Sequence, residues 1–308
     1  MMTNPLIAPE VDAQAFKTAI RSEWDRAAPG WNGHAPQLRQ WLDRATEAML
    51  EMAGVTKGAR VLDVAAGAGD QTLDVARRVG PDGFVLATDL SPVILALAQD
   101  NARRAGHANV QTEVSDGEKL PVETASFDAV VCRLGLMLFP NPLDGLREMH
   151  RALKPGGGAC TLVFGRPERN PCVTTLMSTA MKHAGLAPRD PFQPGTLLSL
   201  GRPGLIDGLF KEAGFTEVAT TTIDAPFKLP SARHYLDFVR ASASPVRQIL
   251  GRLSDSAAAA AWAEMEERLA AFNTPSGWEG PNELLLTAGR RSPPQQPSTA
   301  TSESTAAG

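Results

Sequence analysis

An α/β fold on a doubly wound, mostly parallel sheet is the architecture this sequence predicts, on three observations. Between residues 60 and 165, short apolar strands alternate with helical stretches. The strands are near-continuously apolar, as in a parallel sheet covered on both faces. The first strand runs through Asp63-Val-Ala-Ala-Gly67-Ala-Gly69 straight into a helix, the unit from which Rossmann-like sheets are wound.

The elements follow in order. Residues 1–54 read as an N-terminal helical arm or lid carrying Trp24, Trp31 and Trp41, and residues 55–290 as the main domain. Its strands are expected at 60–65, 84–89, 110–114, 127–132 and 158–164, with helices at 70–79, 91–105 and 143–153. Lys154-Pro155-Gly156-Gly157-Gly158 reads as a stop signal after the third helix. A helix at 204–213 leads to a strand at about 216–223, and an antiparallel last strand is expected at 283–288. Two insertions, a loop-rich one at 166–203 and a helical one at 225–281, are expected to form a lid beyond the carboxyl ends of the strands, where open α/β sheets bind ligands. Residues 291–308 hold no large apolar side chain and are expected to be a disordered tail.

Composition narrows the function. The 308 residues carry a net charge of −4, which gives no general attraction to nucleic acid or anionic membrane. No apolar run approaches the roughly 20 residues of a membrane span, and the opening residues lack a signal-peptide pattern. Cys132, Cys160 and Cys172 form no paired framework and read as reduced core residues, hence a cytoplasmic expectation. The five histidines are scattered without ligand spacing, so no metal is expected.

Three signals converge on a nucleoside-type ligand. Gly67 and Gly69 permit a tight turn and close approach of a ligand before a helix N-terminus, although a purely structural turn would read the same. Asp89 ends the second strand 22 residues after Gly67, near the offset at which a carboxylate reaches a ribose. Its bland alternative is capping of the helix that begins near Ser91. After the third strand, Ser115-Asp116-Gly117-Glu118 offers an acceptor for an exocyclic adenine amine and a glycine for close approach to the ring. Acidic residues thus follow three successive strands at one sheet edge.

DVAAGAGDQT, TDLSP, VSDGEKLPVETASFDAVVCRLGL and REMHRALKPGGG resemble, in order and spacing, the motifs of class I S-adenosylmethionine-dependent methyltransferases. The nearest look is to the ubiquinone and menaquinone biosynthesis branch, over about residues 55–165. The resemblance implies methyl transfer to a small-molecule acceptor at oxygen, carbon or nitrogen, with S-adenosylmethionine as cofactor and S-adenosylhomocysteine as product. It places Gly67 and Gly69 at the methionine part, Asp89 at the ribose and Asp116 at the adenine. It also implies that Asp63 orders the turn and meets the cofactor amine through water, and that Leu90 packs on adenine. Backbone atoms of Arg133 and Leu134 would meet the methionine moiety. Ala65, Thr72, Gly117 and Glu118 complete the expected cofactor set. Trp31, in Trp24-Asp25-Arg26-Ala27-Ala28-Pro29-Gly30-Trp31, would cover the sulfonium region, or else simply pack the arm onto the core.

A nicotinamide-dependent oxidoreductase is the nearest rival, but its third glycine falls at Thr72. A methyltransferase-fold protein that binds cofactor without catalysis is the other alternative. No catalytic residue is assigned; His34 and His234 are the candidates for a proton acceptor, each with a structural alternative. His34, Met137, Phe139, Arg166 and His183 are candidates for the acceptor pocket, which the apolar run after the fourth strand makes partly apolar or aromatic. The oligomeric state stays open, a homodimer among the options.

Overall fold

The structure, a computed structural model, describes residues 13–242 and 245–293. The expectations for the opening residues, and for the tail beyond residue 293, lie outside the described residues.

Two helices come first, α1 (Ala13–Gly33) and α2 (Ala35–Ala53). The wound core follows as β1 (Arg60–Val64), α3 (Asp70–Val79), β2 (Phe84–Asp89), α4 (Pro92–Arg104), β3 (Val110–Val114), β4 (Phe127–Arg133), α5 (Pro142–Ala152) and β5 (Leu153–Phe164). After α6 (Pro171–His183), α7 (Leu205–Glu212), β6 (Thr216–Asp224) and β7 (Phe227–Leu229) come three helices: α8 (Ala232–Ala241), α9 (Pro245–Leu250) and α10 (Asp255–Leu269). Two short strands, β8 (Asn273–Thr274) and β9 (Gly277–Gly280), precede the long β10 (Glu283–Arg290).

Seven strands form one sheet in the order β3-β2-β1-β4-β5-β10-β6. The β1, β2, β3, β4 and β5 pairings are parallel, while β10 runs antiparallel to both β5 and β6. Burial explains the order. Central β1 and β4 are covered on both faces, and their Val, Leu and Ala side chains are almost wholly buried. β3 and β6 take the edges, where Gln111, Glu113 and the Thr220–Thr222 stretch keep polar groups towards water.

Two expectations are corrected. The glycine run after α5 does stop the helix, but the strand expected from 158 begins earlier: β5 starts at Leu153 and carries Gly156–Gly158 within it. Gly158 pairs with Ala129 and Arg290 and has no Cβ where the Arg290 guanidinium and the Ala53 carbonyl stand, so it makes room for that side chain and for the end of α2. Residues 166–203, read as loop-rich, contain the 13-residue helix α6, whose buried Cys172, Val173 and Leu176 give it an apolar face.

The segment between β6 and β10 builds a second core. Leu38 of α2, Leu176 of α6, Phe238 of α8, Met265 of α10 and Trp278 of β9 pack together. Trp41 joins this core to the sheet, stacking on Phe227 at 4.7 Å and donating its indole N–H to the Ala225 carbonyl at 2.7 Å. The three free cysteines are buried, and burial pushes the Cys132 and Cys172 thiols up to about 12. Among the described residues no helix is long and apolar enough to cross a membrane.

Candidate functional site at the carboxyl edge of the sheet

The turn after β1 is held open by backbone conformation. Ala65, Gly67 and Gly69 take φ of 55°, 58° and 83°, and Leu134, at the end of β4 beside it, takes 59°. Positive φ at alanine and leucine is costly and persists only where the surroundings fix it. Asp63, fully buried in β1, supplies part of that fixation by accepting hydrogen bonds from Thr72 Oγ1 (2.6 Å) and Gln71 Nε2 (3.1 Å) of α3. Thr72 is therefore spent on Asp63.

Burial pushes the Asp63 carboxyl up to about 6, although the bonds from Thr72 and Gln71 pull it down. The sign follows from proton linkage. Between its ordinary value of 3.8 and about 6 the unfolded chain releases a proton that the folded chain keeps, so stability falls as pH rises through that window. At 1.36 kcal/mol per unit this amounts to about 3 kcal/mol. Asp63→Asn is expected to flatten the rise in melting temperature that accompanies acidification from about pH 6 to pH 4. Thermal unfolding at intervals across that range checks it; an unchanged slope removes Asp63 from the account.

Asp89 ends β2 opposite the turn. Its Oδ2 accepts the Gly67 N–H and its Oδ1 the Ser91 N–H, both at 2.9 Å. The cap of α4 is Ser91, whose hydroxyl accepts from the Ile94 N–H, so Asp89 is not consumed as the helix cap. Each carboxylate oxygen keeps a lone pair for a further donor. Burial holds the Asp89 carboxyl above the usual carboxylate range.

Next along the edge, Asp116 folds back on its own turn, Oδ1 accepting the Glu118 N–H at 3.0 Å. Phe139, expected in an acceptor wall, lies instead against Gly117, at the point where a Cβ on that glycine would collide with its ring. Glycine at 117 thus lets an aromatic face approach the backbone next to Asp116.

α1 lies across this edge. Trp24, Ala28 and Trp31 pack on Ala68 and Ile94, and the Trp31 indole nitrogen is 3.5 Å from where a Cβ of Gly67 would stand. Trp31 also meets Trp24 edge-on at 5.2 Å and Phe238 of α8 at 5.7 Å, so it both packs the arm and covers the turn. Asp25 accepts the Ser91 hydroxyl at 2.5 Å. Lys17 reaches Asp116 (2.7 Å) and Glu118 (2.5 Å) together. Burial works against the Lys17 ammonium, but its bonds to Asp116 and Glu118 raise it overall.

Lys17 latches the arm, and nothing in the motif reading points to it. Lys17→Met is expected to free α1 locally by about 1–1.5 kcal/mol, the sum of two ion pairs each worth up to about 1 kcal/mol. Trypsin cleavage at Arg21 and Arg26 should then run about tenfold faster, with little change in global melting. Equal cleavage rates in the two proteins would show that the pair does not hold the arm.

Arg133 does not present its guanidinium to the turn. It is buried, bonded to Asp70 (2.7 Å) at the start of α3 and to the Thr46 hydroxyl of α2 (2.8 Å). Arg39 of α2 approaches the other oxygen of Asp70 at 3.2 Å. The Asp70 carboxylate also suits a helix N-terminus. The sequence reading missed this triad, whose one visible sign was an acidic residue directly after Gly69.

Of the acceptor candidates, the structure gathers His34 and His234. They line an open cleft of about 800 Å³ between the start of α2, β7, α8 and β9. The others stand elsewhere. Met137 is buried in the sheet core, and its carbonyl accepts the Ser199 hydroxyl. Arg166 pairs with the buried Glu283 at 3.4 Å. His183 bonds Glu264 of α10 at 2.9 Å, tying α6 to α10.

Set against known proteins, residues 37–182 match the model of the ubiE/COQ5 methyltransferase family. That stretch is similar in sequence to the ubiE/COQ5 methyltransferases. Over 38% of its length it is 41% identical to the ubiquinone/menaquinone biosynthesis C-methyltransferase UbiE of Azotobacter vinelandii, covering 47% of that protein. The chain thus spans about half the length of the curated relatives it matches. The cyclase SpnF shares the fold at a TM-score of 0.61 and 22% identity, over 94% of this chain and 100% of that one. Phosphoethanolamine N-methyltransferase 2 of Haemonchus contortus, solved with phosphomonomethylethanolamine and S-adenosylhomocysteine, does so at 0.57 and 18%, over 89% and 60%.

The free groups at this edge fit a nucleoside with a charged tail. Spare carboxylate lone pairs at Asp89 suit hydroxyl donors, and the glycine turn between Asp89 and Trp31 leaves backbone open to a close approach.

Proposed function

We propose that this chain is an S-adenosylmethionine-dependent methyltransferase acting on a small molecule. The observation that carries the reading is Asp89: a partly buried carboxylate, pinned by the Gly67 and Ser91 N–H groups, with lone pairs left for two ribose hydroxyls. Leu90, Asp116, Gly117, Glu118 and Phe139 form the adenine end. Ala65, Gly67, Gly69 and the backbone of Arg133 and Leu134 form the methionine end, with Trp31 as cover. Asp63 and Thr72 set the turn from behind. When bound, S-adenosylmethionine supplies a methyl group on a positively charged sulfur. The chain's part is to orient the acceptor and exclude water, for which good positioning is worth up to roughly 7–11 kcal/mol. The lid is the segment between β6 and β10 together with α1 and α6, and the reaction belongs in a cytoplasmic setting.

Calorimetric titration with S-adenosylhomocysteine, followed by an acceptor screen with methyl-labelled cofactor, tests the reading. Binding and label transfer are expected. Folded protein that binds no S-adenosylhomocysteine would sink it, and binding without transfer to any acceptor would favour a protein that holds cofactor without using it.

A further inference from the structure

α1 is tied to all three loops that carry the cofactor groups, each time through a polar side chain. At its start, Lys17 bridges Asp116 at 2.7 Å and Glu118 at 2.5 Å in the loop after β3. Midway, Asp25 accepts the Ser91 hydroxyl at 2.5 Å in the loop after β2. Near its end, Asn32 accepts from Asn101 of α4 at 2.7 Å, and the same Asn101 amide donates to the Ala68 carbonyl of the glycine turn. The apolar seam over the turn is short: Trp24, Ala28 and Trp31 on Ala68 and Ile94. Of the 21 residues of α1, only Glu23, Ala27 and Ala28 are buried. A helix with so little buried apolar surface belongs to the low end of local stability.

Two neighbouring residues divide this helix. Pro29 lies inside it and has no N–H to give the Asp25 carbonyl, so one rung of the helix is missing there. Gly30 stands against the Ala241 carbonyl of α8, backbone on backbone. The residues beyond Pro29 are thus clamped to α8, whereas those before it depend on the seam, Lys17 and Asp25. Lys17 does not exhaust its main partner. Asp116 Oδ1 takes only the Glu118 N–H and Oδ2 takes Lys17, so each oxygen keeps a lone pair and the carboxylate can serve a further donor with Lys17 in place.

We propose that residues 13–28 are a gate over the nucleoside end of the cofactor edge, hinged at Pro29 and latched by Lys17; the proposal rests on the methyltransferase reading above. The gate swings out before S-adenosylmethionine enters or S-adenosylhomocysteine leaves, and the latch re-forms over either. Entry and release therefore run at the pace of one ion-pair latch, which salt in the medium loosens. The methionine end keeps its cover, because Trp31 lies beyond the hinge.

The test is stopped-flow mixing of the full chain with S-adenosylhomocysteine, read by tryptophan fluorescence, beside calorimetry. The observed rate in wild type should level off as ligand rises, the plateau being the rate of opening. Lys17→Met should raise the plateau and the release rate together by about tenfold, as its two ion pairs are lost. Kd should stay within about threefold, because the latch closes both the empty and the occupied protein. Raising the salt from about 0.05 to about 0.5 M should quicken wild type several-fold and the variant by less than about twofold. Pro29→Ala, at an exposed position, restores the missing N–H and should slow the plateau about fivefold. A rate that stays proportional to ligand, a plateau left unmoved by either variant, or equal salt responses in wild type and Lys17→Met overturns the proposal. A Kd shifted beyond threefold by Lys17→Met also overturns it, by making Lys17 a contact of the ligand rather than a latch. Wild type that binds no S-adenosylhomocysteine overturns the underlying reading first, which separates the two failures.

Discussion

Asp89→Ala is expected to weaken S-adenosylhomocysteine binding by about 10²–10⁴-fold. The carboxylate offers one free acceptor to each of two ribose hydroxyls, and hydrogen bonds to a charged group are worth roughly 1.5–3 kcal/mol each. Two of them sum to about 3–6 kcal/mol, at 1.4 kcal/mol per factor of ten. A further contribution comes from the turn, because the same carboxylate anchors the Gly67 N–H. Asp89→Asn keeps one oxygen as acceptor and should sit between alanine and wild type. Global stability should change far less than affinity, since burial already disfavours this carboxylate in its charged form. Calorimetry together with a melting curve separates the two effects. An alanine variant binding within about threefold of wild type would remove Asp89 from the ribose site.

Arg133→Ala should cost about 3–5 kcal/mol of folding stability, the penalty for stripping one partner from a buried pair. Asp70 would be left with Arg39, itself half exposed, and with the dipole of α3. Thr46 would lose its donor as well. Urea unfolding checks the figure, and the double replacement Arg133→Met with Asp70→Leu gives the contrast. Removing both charges leaves nothing unpaired, so the double variant should recover most of the loss and show strong coupling in a mutant cycle. A loss below about 1 kcal/mol for Arg133→Ala would mean that Arg39 alone satisfies Asp70. Because Asp70 opens α3 directly behind the glycine turn, loosening there should also reach the cofactor edge.

The wound core was legible because its signals are local. β2 and α3 fall where apolar runs and the Gly69 start place them, and β10 is antiparallel as expected. What escaped detection depends on contacts distant in sequence. Lys17 and Asp116 are 99 residues apart, Arg133 and Asp70 are 63 apart, and no spacing rule links either pair. β5 was expected only from 158 because glycines read as a break, whereas the pairing of Leu153 with Phe127 already belongs to the strand. Phe139 was read with the acceptor wall because its apolar run continues from β4, whereas the chain turns it onto Gly117. The strands β7, β8 and β9 are of two to four residues, too short for a period-two pattern to declare them.

Gly30 joins the two halves of this site. A Cβ there would strike the Ala241 carbonyl at the end of α8, so α1 and α8 meet backbone against backbone. One residue on, Trp31 covers the glycine turn; four residues on, His34 enters the cleft. The rod α1 carries Trp31 near its end, and His34 stands one residue beyond it at the start of α2, so the seating of the rod bears on both compartments. Whatever seats the rod for one ligand has already met the ordering cost for the other, and such linkage is reciprocal. A ligand held in one compartment should therefore tighten binding in the other without touching the same side chain.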